Sequence, residues 1–224
     1  MGGPKIMVVD YHKGNLSSVV RGLARAGAAA CTSDDPEQIC NADGLVIPGV
    51  GAFYDAIAFM RRSGEEAAVL DAVAAGIPLL GICLGLQLFF ERGNEGVPAD
   101  EGVVADGSAS EQDGGPWVDG LGIMRGSCTR LESSRLKVPH VGWDQVHMTS
   151  AGAADPLLAG FAEGANMYFT HSYAVADDAM PPMCWRSRTI RGASRASCAM
   201  ATCGAASSIP RNPPRWVSAS LRTS

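Results

Sequence analysis

The chain has 224 residues, 46% of them hydrophobic and 18% charged. That composition fits a globular protein of one domain or slightly more and excludes a disordered, collagenous or coiled-coil chain. The net charge of −5 is uneven: all 23 acidic residues and 11 of the 18 basic ones lie in 1–179, whereas 180–224 carries seven Arg and no acid. Seven Cys, an odd number without metal-ligand spacing, suit reduced thiols. With no signal h-region and no apolar run of membrane-spanning length, the reading is a cytoplasmic protein with no metal, cofactor, nucleic-acid or membrane site.

In chain order, Ile6–Val9 reads as a buried strand leaving through Asp10-Tyr11-His12-Lys13-Gly14. Asn15 then caps a helix whose apolar residues Leu16, Val19, Val20 and Leu23 fall on one face, ended by Gly27. Gly44–Ile47 is a second strand, closed by Pro48-Gly49-Val50-Gly51. Residues 52–75 read as helix, Ile77–Ile82 as a continuous apolar strand, and Leu84–Glu91 as helix. Apolar strands alternating with amphipathic helices predict an α/β fold with a mostly parallel central sheet flanked by helices. Residues 93–120 read as a long loop. Strands near 128–131, 145–148 and 166–170 suggest a mixed extension of the sheet, and the tail is expected to be irregular.

The strongest chemical signal is Gly81-Ile82-Cys83-Leu84-Gly85, set between a strand and a helix. Such a turn needs small flanking residues and lifts its middle side chain onto an elbow at a helix N-terminus, where dipole and amides favour the thiolate. Cys31, Cys40 and Cys128 read instead as structural. A cysteine attacking an amide needs oxyanion donors; the Leu84 amide offers one and the Val50 amide another. The histidines His140, His147 and His171 read as packed, hydrogen-bonded residues.

Six segments together resemble a known family: Asp10-Tyr11-x-x-Gly14-Asn15-Leu16, Ile47 through Phe53, Gly81 through Gln87, Gly120-Leu121-Gly122, Lys137 through Trp143, and Tyr168 through Tyr173. In order and over roughly residues 5–175 they are similar to the class I (triad) glutamine amidotransferase that serves imidazole glycerol phosphate synthase as its glutaminase subunit. The resemblance implies Cys83 as nucleophile on L-glutamine and Val50 and Leu84 as the oxyanion hole. It also implies Gly49, Gly51 and Gln87 around the substrate, and ammonia passed to a TIM-barrel cyclase subunit in histidine synthesis. Asn15, Lys137, His140 and Trp143 would face that partner. Two further readings stay open: a non-catalytic cyclase-binding subunit, and a sister class I amidotransferase.

The family's second motif, Phe-His-Pro-Glu-Lys-Ser, supplies the base and its orienter, and it is absent: the last histidine is His171 and the last acid Asp178. With the codon choice TCT TCC ATC CCG AGA AAT CCT for Ser207 through Pro213, a shift of the frame by two bases reads Phe-His-Pro-Glu-Lys-Ser. The expectation is therefore an incomplete amidotransferase domain over 1–179 and an out-of-frame tail over 180–224, in which Cys184, Cys198 and Cys203 are incidental.

Overall fold

The computed structural model describes residues 3–98, 109–112, 115–132, 137–148, 160–176, 185–187 and 201–203. The 179/180 boundary, Cys184, Cys198 and the 207–213 segment lie outside them. The first half builds the parallel layer. Strand β1 (Lys5–Val9) leads to α1 (Leu16–Arg25), whose first turn is capped by Asn15 Oδ1 accepting the Ser18 amide at 3.3 Å. The next pair, β2 (Ala29–Ser33) and α2 (Pro36–Cys40), is not visible in the apolar pattern, because β2 is an edge strand with mostly exposed side chains.

Strand β3 (Gly44–Gly49) is buried along its whole length. The helical run predicted over 52–75 is two helices, α3 (Phe53–Ser63) and α4 (Glu65–Ala74), because Gly64 at φ 83° turns the chain into the left-handed region. Glu65, buried just past that break, accepts a 2.7 Å hydrogen bond from Ser63 Oγ, and burial pushes its pKa up to about 7. Strand β4 (Leu79–Cys83) follows, then α5 (Leu84–Gln87). The helix expected over 84–91 thus corrects to one turn. Leu88, Phe89 and Phe90 are all fully buried, and the chain re-extends as β5 (Phe90–Gly93) to place them between layers.

Within 93–120, read as loop, β6 (Ala109–Gln112) and β7 (Gly115–Asp119) form an antiparallel pair, with 99–108 and 113–114 outside the described residues. Then come β8 (Met124–Arg130), β9 (His140–Met148), β10 (Ala165–His171) and β11 (Tyr173–Val175). In the tail, expected to be irregular, β12 (Trp185–Ser187) and β13 (Ala201–Cys203) correct that reading at six residues.

The main sheet has the order β13-β4-β3-β1-β2, parallel except for β13. The others, β11-β8-β5-β7-β6 and β10-β9-β12, supply the expected mixed extension. Met7, Val9, Leu45 and Ile47 pack with Phe53, Ile57 and Met60 of α3 and with Leu86, Phe89 and Phe90. Each such fully buried side chain contributes about 1.5–3 kcal/mol. This core fixes the C-terminal ends of β3 and β4, where ligands of open parallel sheets bind. Pro48 stands in register with Ile82, and Gly49 with Cys83. In β13, Ala201 pairs with Gly81 and Cys203 with Leu79, so that strand runs away from Cys83.

Candidate active site

Cys83 sits where β4 ends and α5 begins, at φ 55°, ψ −118°. A non-glycine residue held there costs about 1–3 kcal/mol, and the flanking glycines explain how it is held. A Cβ on Gly81 would come within 2.5 Å of the Leu86 backbone, and one on Gly85 would collide with the Ile47 carbonyl of β3. Strand and helix therefore approach as closely as backbone allows, and the cysteine between them is forced outward, exposed.

Cys83 opens into a cavity of about 380 Å³, a size suited to a small ligand. One wall is the turn after β3, Val50 and Gly51, and another is the elbow itself, Cys83, Leu84 and Gln87. Opposite stand Pro139, before β9, and Thr170 to Tyr173, where β10 ends and β11 begins. Glu95 supplies a carboxylate.

Electrostatics correct one expectation. The Leu84 amide donates to the Cys83 sulfur and lowers its pKa, yet the pocket walls that part-enclose this otherwise exposed side chain desolvate the thiol and raise it more, and the Glu95 carboxylate adds to the rise. A four-residue helix brings few aligned peptide dipoles, so the elbow alone does not make a thiolate. Glu95 itself is raised by burial, opposed by the Phe53 amide that its carboxylate accepts, while its carbonyl accepts the Tyr54 amide at 3.1 Å. Replacing Glu95 with Gln keeps an acceptor for Phe53 and removes the charge. The midpoint of Cys83 alkylation by iodoacetamide is expected to move to lower pH, with roughly threefold faster labelling at neutral pH for each half unit. An unmoved midpoint would contradict the placement of this carboxylate beside the thiol.

His171 faces the same pocket but has both nitrogens engaged. Its Nδ1 lies 3.0 Å from the Tyr173 carbonyl and its Nε2 3.2 Å from Nδ1 of His140, its partner across the β9–β10 pair. Since a carbonyl only accepts, Nδ1 of His171 carries the proton and Nε2 accepts from His140. Burial lowers the His171 pKa, partly offset by the Tyr173 bond, so the ring is neutral at pH 7. Gln87 Nε2 donates to that same Tyr173 carbonyl at 3.3 Å.

A strained cysteine elbow beside a glycine turn is an acyl-transfer arrangement, and the comparisons with known proteins agree. The family described as glutamine amidotransferase class-I matches residues 7–201. The chain belongs to that family. Among its relatives, the imidazole glycerol phosphate synthase subunit HisH of Moorella thermoacetica is 41% identical over 170 residues, 76% of this chain and 70% of the relative. The HisH of Nostoc punctiforme is 37% identical over 199 residues, 88% and 83% respectively. Within the class-I amidotransferases the chain groups with these HisH subunits. A crystal structure described as a GMP synthase subunit from Thermoplasma acidophilum has TM-score 0.50 at 16% identity, over 84% of this chain and 75% of that one. That likeness is one of fold.

Of the residues singled out in this amidotransferase from sequence, Val50, Gly51, Cys83, Leu84 and Gln87 come together around the pocket. Gly49 lies behind it, against Tyr11 and Gly85. Asn15 is occupied as a helix cap, Lys137 and Trp143 are on the surface, and His140 reaches the site only through His171. Sequence reasoning missed Glu95, which the loop reading of 93–120 absorbed, and the pocket-facing side of 170–173. The Gly-Asn-Glu-Gly bend at 93–96 was the only local signal for Glu95.

Proposed function

We propose that this chain is built to hydrolyse L-glutamine through Cys83 and to hand the ammonia to a TIM-barrel cyclase subunit. The observation that carries the reading is the strained Cys83 elbow, paired in register with Gly49 at the mouth of an amino-acid-sized pocket. In the reaction the Cys83 sulfur attacks the side-chain amide carbon. The oxyanion that forms takes hydrogen bonds from the Val50 and Leu84 amides, protonated nitrogen leaves as ammonia, and water cleaves the thioester to glutamate. Gly51 leaves room for the substrate, Gly49 lets the turn pack against Tyr11 and the elbow behind it, Gln87 offers the substrate an amide, and the Glu95 carboxylate suits its α-ammonium group.

That sequence of steps needs a base to take the thiol proton and return it to the leaving nitrogen. Among the described residues of the pocket, His171 has both ring nitrogens engaged, by the Tyr173 carbonyl and by His140, and the one carboxylate is Glu95, which the reading gives to the substrate's ammonium group. We therefore assign residues 1–179 to an incomplete amidotransferase domain and 180–224 to an out-of-frame product, on the charge switch and on the Phe-His-Pro-Glu-Lys-Ser that the codon choice above yields, against a family match that runs on to residue 201. Sequencing the gene across codons 175–224 tests this directly: an intact frame on every read would contradict it. With this tail, the chain is then a cyclase-binding subunit with impaired chemistry.

For the partner, the outward side of the β9–β10 pair is apolar: Val141 is 55%, Trp143 72% and Tyr168 56% exposed, with the Trp143 and Tyr168 rings edge to face at 5.6 Å. The pair continues into Pro139 and Thr170, which line the pocket, so a cyclase seated there with Asn15, Lys137 and His140 toward it would receive ammonia over a short path. The free thiols of Cys31, Cys40, Cys83 and Cys128 suit the reducing cytoplasm; no helix among the described residues is long and apolar enough to cross a membrane. Trp143→Ala is expected to weaken cyclase binding by about thirtyfold or more in calorimetry, as for a central aromatic anchor, with the melting temperature unchanged. Equal affinity for the variant would remove this face from the interface.

A further inference from the structure

We propose that Tyr11 is a positioning residue for the oxyanion turn, its buried hydroxyl holding the Pro48 carbonyl so that the next peptide presents the Val50 amide to the pocket. The inference rests on the reading of Val50 as an oxyanion donor. Tyr11 leaves the end of β1 fully buried, and its Oη donates to the Pro48 carbonyl at 2.5 Å. A buried hydroxyl is costly unless bonded, and phenylalanine would fill the same space without one; the oxygen therefore has a specific partner rather than a packing role.

That partner lies at the start of the turn. Proline has no N–H, so residue 48 can be fixed to its surroundings only through its carbonyl. Gly49 is wedged between the phenol and the elbow: a Cβ there would strike Tyr11 Oη and come within 3.0 Å of both the Gly85 nitrogen and Leu84 Cβ. The hydroxyl thus touches the last peptide of β3 and, through Gly49, the backbone that carries Cys83. Beyond this point the chain is free of such restraint, with Val50 57% exposed and Gly51 at φ 103°. Burial foremost, and the nearby Cys83 and Glu65, keep the phenol protonated and donating at any working pH.

Two reagents separate positioning from packing. A chloroketone analogue of glutamine reacts at Cys83 through a carbonyl whose oxygen needs the hole, the sulfur displacing chloride to leave a thioether. Iodoacetamide reacts by direct displacement of iodide and needs no hole. For Tyr11→Phe in the full chain, the maximal chloroketone rate is expected to fall about tenfold or more, with half-saturation and the iodoacetamide rate within about twofold of the parent. Hydrogen exchange at the amides of residues 49–51 is expected to quicken about tenfold while that of 45–47 holds. Equal loss with both reagents, or unchanged exchange at 49–51, would overturn the proposal. A parent chain that never saturates with the chloroketone would refute the glutamine reading instead, and the exchange would still decide whether Tyr11 clamps the turn.

Discussion

If 180–224 is the out-of-frame product proposed above, restoring the reading frame ahead of residue 180 is expected to raise glutamine hydrolysis, measured as glutamate released with the cyclase present, by at least about a thousandfold over the chain with its present tail. The size follows from the site. The Cys83 thiol is held above its ordinary pKa by burial and by Glu95, so at neutral pH it is protonated. Among the described residues, the one imidazole facing the pocket donates to a carbonyl and accepts from a second imidazole. On the proposed reading, attack then depends on a small thiolate fraction, and among the described residues no imidazole is placed to return a proton to the departing nitrogen. A restored His and Glu supply both transfers. Comparable glutamate release from the two proteins would show that the described pocket already contains its base, and the proposal of an out-of-frame tail would lose its reason.

Gly85→Ala is expected to be among the most damaging single substitutions, costing about 3–5 kcal/mol in urea denaturation or preventing folding altogether. Its Cβ would overlap the carbonyl oxygen and carbon of Ile47, backbone atoms of a fully buried central strand. Neither partner yields like the end of a flexible side chain, so either β3 shifts, disturbing its pairing with β1 and β4, or α5 lifts and the elbow opens. Gly76 provides the contrast within the same region. Nothing lies within 4 Å of a Cβ there, and its φ of 85° alone makes substitution unfavourable; Gly76→Ala is expected to cost about 1 kcal/mol. Equal stability losses at the two positions would contradict the claim that close approach, rather than conformation, holds the elbow.

The parallel core was legible because its strands are apolar on both faces and its first helix carries both a cap and a stripe. Ile6–Val9, Asn15–Leu23, Gly44–Ile47 and the end of β4 all lie where periodicity puts them. The pattern failed where it was ambiguous or silent. Leu88, Phe89 and Phe90 are apolar in succession, which fits a helix or a buried strand equally, and the layer they fill decided for a strand. Ala29–Ser33 pairs with β1 through its backbone and has little apolar pattern to show for it. At the site, the Gly-x-Cys-x-Gly frame was readable since its glycines answer a local steric demand. Glu95 and Tyr11 were not, because what matters is which distant backbone groups they meet, Phe53 and Tyr54 for one and Pro48 for the other. The expected thiolate failed for a related reason: the sequence shows a helix start but neither its four-residue length nor the half-buried carboxylate beside it.

The most direct measurement is mass spectrometry of the chain after treatment with the chloroketone analogue of glutamine at about pH 9, where a raised thiol still ionises in part. A single adduct is expected, mapped to Cys83, formed with saturation kinetics and slowed by free glutamine. Label spread over Cys31 and Cys40, or label on Cys83 that glutamine does not slow, would mean that the pocket beside the elbow is not a glutamine site.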